Sequence, residues 1–130
     1  MAKVSQTTPV KDIVFNQGED YRFQLNLYTG TSVTDKQVLD ITGFLFACKV
    51  RGEATDDDPA LTAICTILDA PNGQVEFHFK ADDTDGIDVD GSNYKNLTEY
   101  TYDVFMKYSN GDETRILCGS VYISPSVSNR

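Results

Sequence analysis

The chain has 130 residues, enough for one domain with a real core. It carries 11 Lys and Arg against 20 Asp and Glu, a net charge of −9 at pH 7. That balance argues against a nucleic-acid surface, which needs basic residues to displace counterions from phosphate, and against docking on an anionic membrane. The acidity itself reads first as solubility, and second as a preference for a basic partner or cations.

The chain opens on a polar stretch, Met1 to Lys11, that contains Pro9 and little periodicity. It reads as an arm that is mobile alone and ordered against a partner. No apolar run follows Lys3, so no secretory signal is expected, and no segment has the length of a membrane span. Asp12 to Phe15 is a short strand, closed by a turn at Asn16–Glu19. Tyr21, Phe23, Leu25 and Leu27 then alternate with Asp20, Arg22, Gln24 and Asn26, the two-residue period of a half-buried strand. Thr29 to Lys36 is a polar loop, and Val38 to Ile41 reads as a short edge strand.

After Gly43 comes a strand with Phe44, Phe46, Cys48 and Val50 on its inner face and Leu45, Ala47, Lys49 and Arg51 on the other. Two apolar residues on the outward face point to a central or partly covered strand. Gly52 to Pro59, with three successive Asp, is a solvated loop. Leu61, Ala63, Cys65 and Ile67 share one face of the next strand. Asp69 to Gly73 is a hairpin loop, and Val75, Phe77 and Phe79 alternate with Glu76, His78 and Lys80. Ala81 to Asn96 is an acidic irregular connection, in which one helical turn after Lys80 is the most that its Gly and Asp content permits.

The last two strands are the longest. Tyr100, Tyr102, Val104, Met106 and Tyr108 share one face, with Thr101, Asp103, Phe105 and Lys107 on the other. Asn110-Gly111 predicts a type I′ hairpin into the run that ends at Ile123. Tyr100 and Tyr102 open this late strand as a tyrosine corner does. About seven strands with regular turn signals predict an all-β fold, an immunoglobulin-like antiparallel β-sandwich over residues 12–124. The arm at 1–11 and a tail at 125–130 flank it.

Candidate chemistry is sparse. His78, the one histidine, alternates outward beside Glu76 and Lys80, where a surface role outweighs a general base. No nucleophile elbow or paired Cys motif is present. Cys48, Cys65 and Cys118 each fall inside a strand and read as reduced core thiols, a Cys48–Cys65 bridge being the disfavoured alternative. The loop after Lys80 fails the EF-hand spacing in both registers that place a Gly at position six. It leaves Asp85, Asp88 and Asp90 as candidate ligands of an irregular calcium site, weighed against a solvated loop as the default. Asp103 needs a partner, and Arg51, Lys49 or Arg115 across neighbouring strands would make a sheet-face ion pair.

Several short motifs share a pattern. They are Phe15-Asn16-Gln17-Gly18-Glu19-Asp20-Tyr21, Asp40-Ile41-Thr42-Gly43-Phe44 leading to Arg51, and Gly73-Gln74-Val75-Glu76-Phe77. Thr84, Tyr100, Tyr102-Asp103-Val104 and the closing Gly119 complete it. Across residues 13–123 the chain resembles a family of small phage virion β-sandwiches, similar to the N-terminal domain of the phage baseplate upper protein. That resemblance implies a non-enzymatic module of tail, baseplate or fibre attachment, assembled in a host cytoplasm and placed in the virion. Its partners would be other virion proteins, in a homo-oligomer within the particle, without cofactor, nucleic acid or membrane. Baseplate upper proteins carry a further helical region, so a stand-alone adaptor or a capsid decoration protein is the alternative within the class. A carbohydrate-binding module is the alternative outside it, with Tyr28, Tyr94 and Tyr122 as stacking candidates.

Overall fold

Alternation of apolar and polar residues builds two sheets whose apolar faces meet. The structure is a computed structural model and describes residues 8–29 and 37–128. The first seven residues of the expected arm, the loop at 30–36 and the last two residues of the tail lie outside the described residues.

In chain order the strands are β1 (Ile13–Asn16), β2 (Tyr21–Asn26), β3 (Tyr28–Thr29), β4 (Gln37–Val38), β5 (Leu45–Arg51), β6 (Leu61–Thr62), β7 (Ile64–Asp69) and β8 (Gln74–Phe79). A single-turn helix, α1 (Ala81–Asp85), precedes β9 (Thr98–Lys107) and β10 (Glu113–Ser124). One sheet has the order β1-β10-β9-β5-β6, the second β2-β8-β7, and β3 pairs with β4 in a small ribbon. In immunoglobulin lettering, β10-β9-β5-β6 takes the places of G-F-C-C′ and β2-β8-β7 those of B-E-D. The fold is an immunoglobulin-like β-sandwich. One pairing departs from antiparallel: β1 runs parallel to β10, from Ile13 opposite Val121 to Asn16 opposite Ser124.

The core lies between the two sheets. Val75, Phe77 and Phe79 of β8 face Cys48 and Val50 of β5, Tyr102 and Val104 of β9, and Val121 and Ile123 of β10, all buried. In true immunoglobulin domains a disulfide joins strands B and F, two residues after the corner tyrosine. Here Tyr100 is that tyrosine, its hydroxyl donating to the Asp88 carbonyl at 2.6 Å. The position two residues on is Tyr102, whose ring meets Phe23 of β2 edge-on at 6.4 Å. An aromatic contact thus bridges the sheets where a disulfide would. The Tyr102 hydroxyl donates to the Lys11 carbonyl at 2.6 Å.

Four local features differ from the sequence expectation. The Asn110-Gly111 hairpin forms, but not as type I′, because Asn110 keeps negative φ and only Gly111 is positive, at 97°. Gly111 N–H donates to Tyr108 O and Tyr108 N–H to Asp112 O, the pattern of a type I turn followed by a glycine bulge. Residues 61–68 are not one strand of one sheet: β6 pairs with β5, and β7 with β8, the chain changing sheets at Ala63. β5 is central, between β9 and β6, one of the two expected alternatives, but its outward apolar residues are not covered, Leu45 being 64% exposed. Residues 9–11 of the expected arm run beside β10, with Lys11 N–H donating to Cys118 O and Cys118 N–H to Pro9 O.

Candidate functional site: the outer face of the five-stranded sheet

Strand register places the outward side chains of β5, β9 and β10 in rows. Leu45, Lys107 and Glu113 form one row, and Ala47, Phe105 and Arg115 the next. Lys49, Asp103 and Cys118 follow, then Arg51, Thr101 and Ser120. A bulge at Ile116, between Arg115 and Leu117, sets this arrangement. Strict alternation from Arg115 would turn Leu117 outward. The extra residue turns Leu117 into the core and leaves Cys118 and Ser120 on the outer face.

Two depressions lie side by side on this face. An open cleft of about 290 Å³ is lined by Lys49, Arg51, Asp103 and Arg115, among others. Beside it a shallower hollow of about 120 Å³ is floored by Leu45, Ala47 and Phe105. Phe105 is 38% exposed, so the hollow offers aromatic and aliphatic surface to solvent.

Asp103 lines the cleft, half-buried. Burial pushes its carboxyl up, while the charges of Arg115 and Arg51 pull the other way. The expected ion pair does not form. Among the described residues the ion pairs are Arg22–Glu76 at 4.0 Å and His78–Asp20 at 2.8 Å. Arg51 is drawn toward the 52–58 turn, its Nε donating to the Asp56 carbonyl at 3.1 Å. Three cations and one carboxylate therefore line the cleft, and the carboxylates of Asp12 and Glu99 bond its Ser120. A surface of this kind offers groups of both signs beside an apolar patch.

The other candidates lie elsewhere. His78 Nε2 meets Asp20 Oδ1 at 2.8 Å, and Asp20 also accepts from Ala81 N–H at 3.0 Å. The hydrogen bond from His78 chiefly holds the Asp20 carboxyl below its usual range. This is a clasp between the β1–β2 turn and the corner after β8. Asp20 and His78 lie 58 positions apart, and no local spacing signals their contact.

Asp85 ends α1 and Asp88 and Asp90 follow it, all exposed. Among the described residues no group of three His, Cys, Asp or Glu is placed to hold a metal ion, and that includes these three. Tyr28 follows the end of β2, where Asn26 faces Gln74 at the start of β8. Tyr94 lies in the connection that leaves the other end of β8, and its carbonyl accepts from Ser124 Oγ at 3.2 Å. Tyr122 pairs with Glu99 near that same end. Tyr28 is thus at the opposite end from the other two, and the three form no common stacking platform. Cys48, Cys65 and Cys118 are free thiols, and burial pushes the Cys48 thiol well up, as for an inert core cysteine.

No protein-family model and no curated protein matches the chain. Among solved structures it is similar to murine CRIg, at 10% identity over 88% of this chain and 92% of that one, with a TM-score of 0.36. A likeness of that size carries no functional weight.

Proposed function

We propose that this chain is a non-enzymatic phage virion structural protein, a tail, baseplate or fibre-attachment module that docks on other virion proteins. The observation that carries the docking role is the outer face of β5, β9 and β10. Leu45, Ala47 and Phe105 lie there beside Lys49, Arg51 and Arg115, a patch whose chemistry differs from the acidic remainder. Exposed aromatic and Arg side chains are the residue types that dominate protein–protein contacts. The virion setting rests on the resemblance across residues 13–123. In that setting β2 and β7, the edge strands of the three-stranded sheet among the described residues, offer a second mode of attachment, by strand addition.

Particles purified from the source lysate on a density gradient, then quantified by mass spectrometry, test this reading. The chain should be present in a fixed ratio to the tail or baseplate proteins. A fixed ratio to the capsid protein would move it to decoration. Absence from particles would refute the proposal.

A further inference from the structure

The outer face carries both halves of its own complement. We infer that its occupant is a second copy of this chain, packed face to face about a two-fold axis that runs along the strands between β5 and β9. This rests on reading the face as a docking surface, and it names what docks there.

Shape is the first observation. Ala47 of β5 and Phe105 of β9 lie side by side in the register and share the hollow of about 120 Å³. A half-turn about a line between them carries Phe105 of one copy over Ala47 of the other. The largest apolar side chain of the patch then meets the smallest, twice, which is how facing sheets interdigitate.

Charge is the second. The same rotation sets each β5 residue over the β9 residue that is its register neighbour. Lys49 neighbours Asp103 in this way, and neither makes an ion pair within the chain among the described residues. Across the axis, Lys49 of each copy faces Asp103 of the other, giving two symmetric ion pairs. Leu45 faces Lys107, whose methylene stem can cover it.

Other axes that keep the strands aligned do worse. An axis along β9 sets Asp103 against Asp103. One between β9 and β10 leaves Leu45, 64% exposed, uncovered. One across the strands at the level of Phe105 stacks that ring on itself and leaves the space over Ala47 empty.

The net charge of −9 makes copies of this chain repel one another. On this face both signs are interspersed, Lys107 opposite Glu113 and Lys49 opposite Asp103, so close approach costs least here. The patch is small and the net repulsion persists, so the pair is weak, with a Kd of about 0.1–1 mM. The dilute chain is a monomer, and pairing occurs where copies are held at high local concentration, as in a particle.

Sedimentation equilibrium of the full chain at about 0.15 M salt, up to about 1 mM protein, tests this. The chain should pass from monomer to dimer over that range. Ala47→Arg fills the hollow and should abolish the dimer. Lys49→Glu opposes carboxylates across the axis, and Asp103→Lys opposes cations, so each should weaken pairing about tenfold. Mixed in equal amounts, these two charge variants should pair with each other as wild type does, because each then meets its opposite. Unchanged thermal unfolding is the control for folding. Ala47 and Lys49 are exposed, so Ala47→Arg and Lys49→Glu carry the test even where Asp103→Lys fails that control.

A monomer at every concentration overturns the inference. A dimer that Ala47→Arg leaves intact runs through another surface and overturns it as well. Folded charge variants that do not rescue each other overturn the axis. If the chain stays monomeric but enters particles, this inference falls and the docking reading stands, with a different virion protein as occupant. If it pairs as stated but never enters particles, the virion reading falls and the pairing stands.

Discussion

Replacing Tyr102 with Phe removes one hydroxyl from a buried site and leaves the ring in place. Tyr102 is 3% exposed, and its hydroxyl meets the Lys11 carbonyl at 2.6 Å. That carbonyl packs against Gly119, on the segment that runs beside β10. Losing this part-buried hydrogen bond costs about 0.5–1.5 kcal/mol. With a urea m-value of about 1–3 kcal/mol per molar, the unfolding midpoint should fall by roughly 0.5 M.

The ring itself is tested by a double-mutant cycle with Phe23, which it meets at 6.4 Å and 71°. Phe23→Ala and Tyr102→Ala should each destabilise strongly, by up to about 3–5 kcal/mol. Their coupling should be about 0.5–1.5 kcal/mol, as for an edge-to-face pair. Urea titrations followed by far-UV circular dichroism measure both. A Tyr102→Phe midpoint equal to wild type would refute the role given to the hydroxyl, and a coupling of zero would refute the idea that the ring pair replaces the inter-sheet disulfide.

Three further outcomes follow from the packing. Gly119→Ala should destabilise by about 1–3 kcal/mol, because the added methyl runs into the Lys11 carbonyl. Amide exchange should then rise first at residues 10–12. Thr84 is fully buried, donates to Glu19 O at 2.8 Å and accepts from Gly18 N–H at 3.1 Å. Thr84→Val should therefore cost about 2–4 kcal/mol in urea titration, with Thr84→Ser recovering most of it. Asp20 has a folded pKa below its ordinary 3.8, so its ionised form stabilises the fold above that value. The contribution disappears as pH falls through the lower folded value. Thermal unfolding between pH 2 and 5 should show a shallower acid decline for Asp20→Asn than for wild type.

Much of the fold was legible because half-buried strands print a two-residue period. β2, β5, β8 and β9 show it without interruption, and the structure places their buried residues on the predicted faces. The change of sheet at Ala63 was not legible, since the inward parity of Leu61, Ala63 and Cys65 continues straight through it. Local pattern reports which side faces the core, not which neighbour supplies the hydrogen bonds. The turn at Asn110 shows the same limit: Asn-Gly announced a hairpin, but loop length decided its type.

At the candidate site, the cross-strand company of Asp103 was readable from parity alone. The absence of an ion pair was not, because it depends on the 52–58 turn drawing Arg51 away. Leu45 and Ala47 were visible as outward apolar residues and read as the mark of a central or partly covered strand; β5 is central, and the two side chains are exposed. Their exposure is what gives the face its candidate role. The motif residues Gly119 and Thr84 have plain structural roles: a close approach of two backbones, and a pin between two turns.

Hydroxyl-radical footprinting of the chain, free and within isolated particles, tests the docking claim most directly. Protection of Leu45 and Phe105 in the particle, with Ile64 on β7 unchanged, is the predicted result. Equal modification of Leu45 and Phe105 in both states would contradict the assignment of this face as the docking surface.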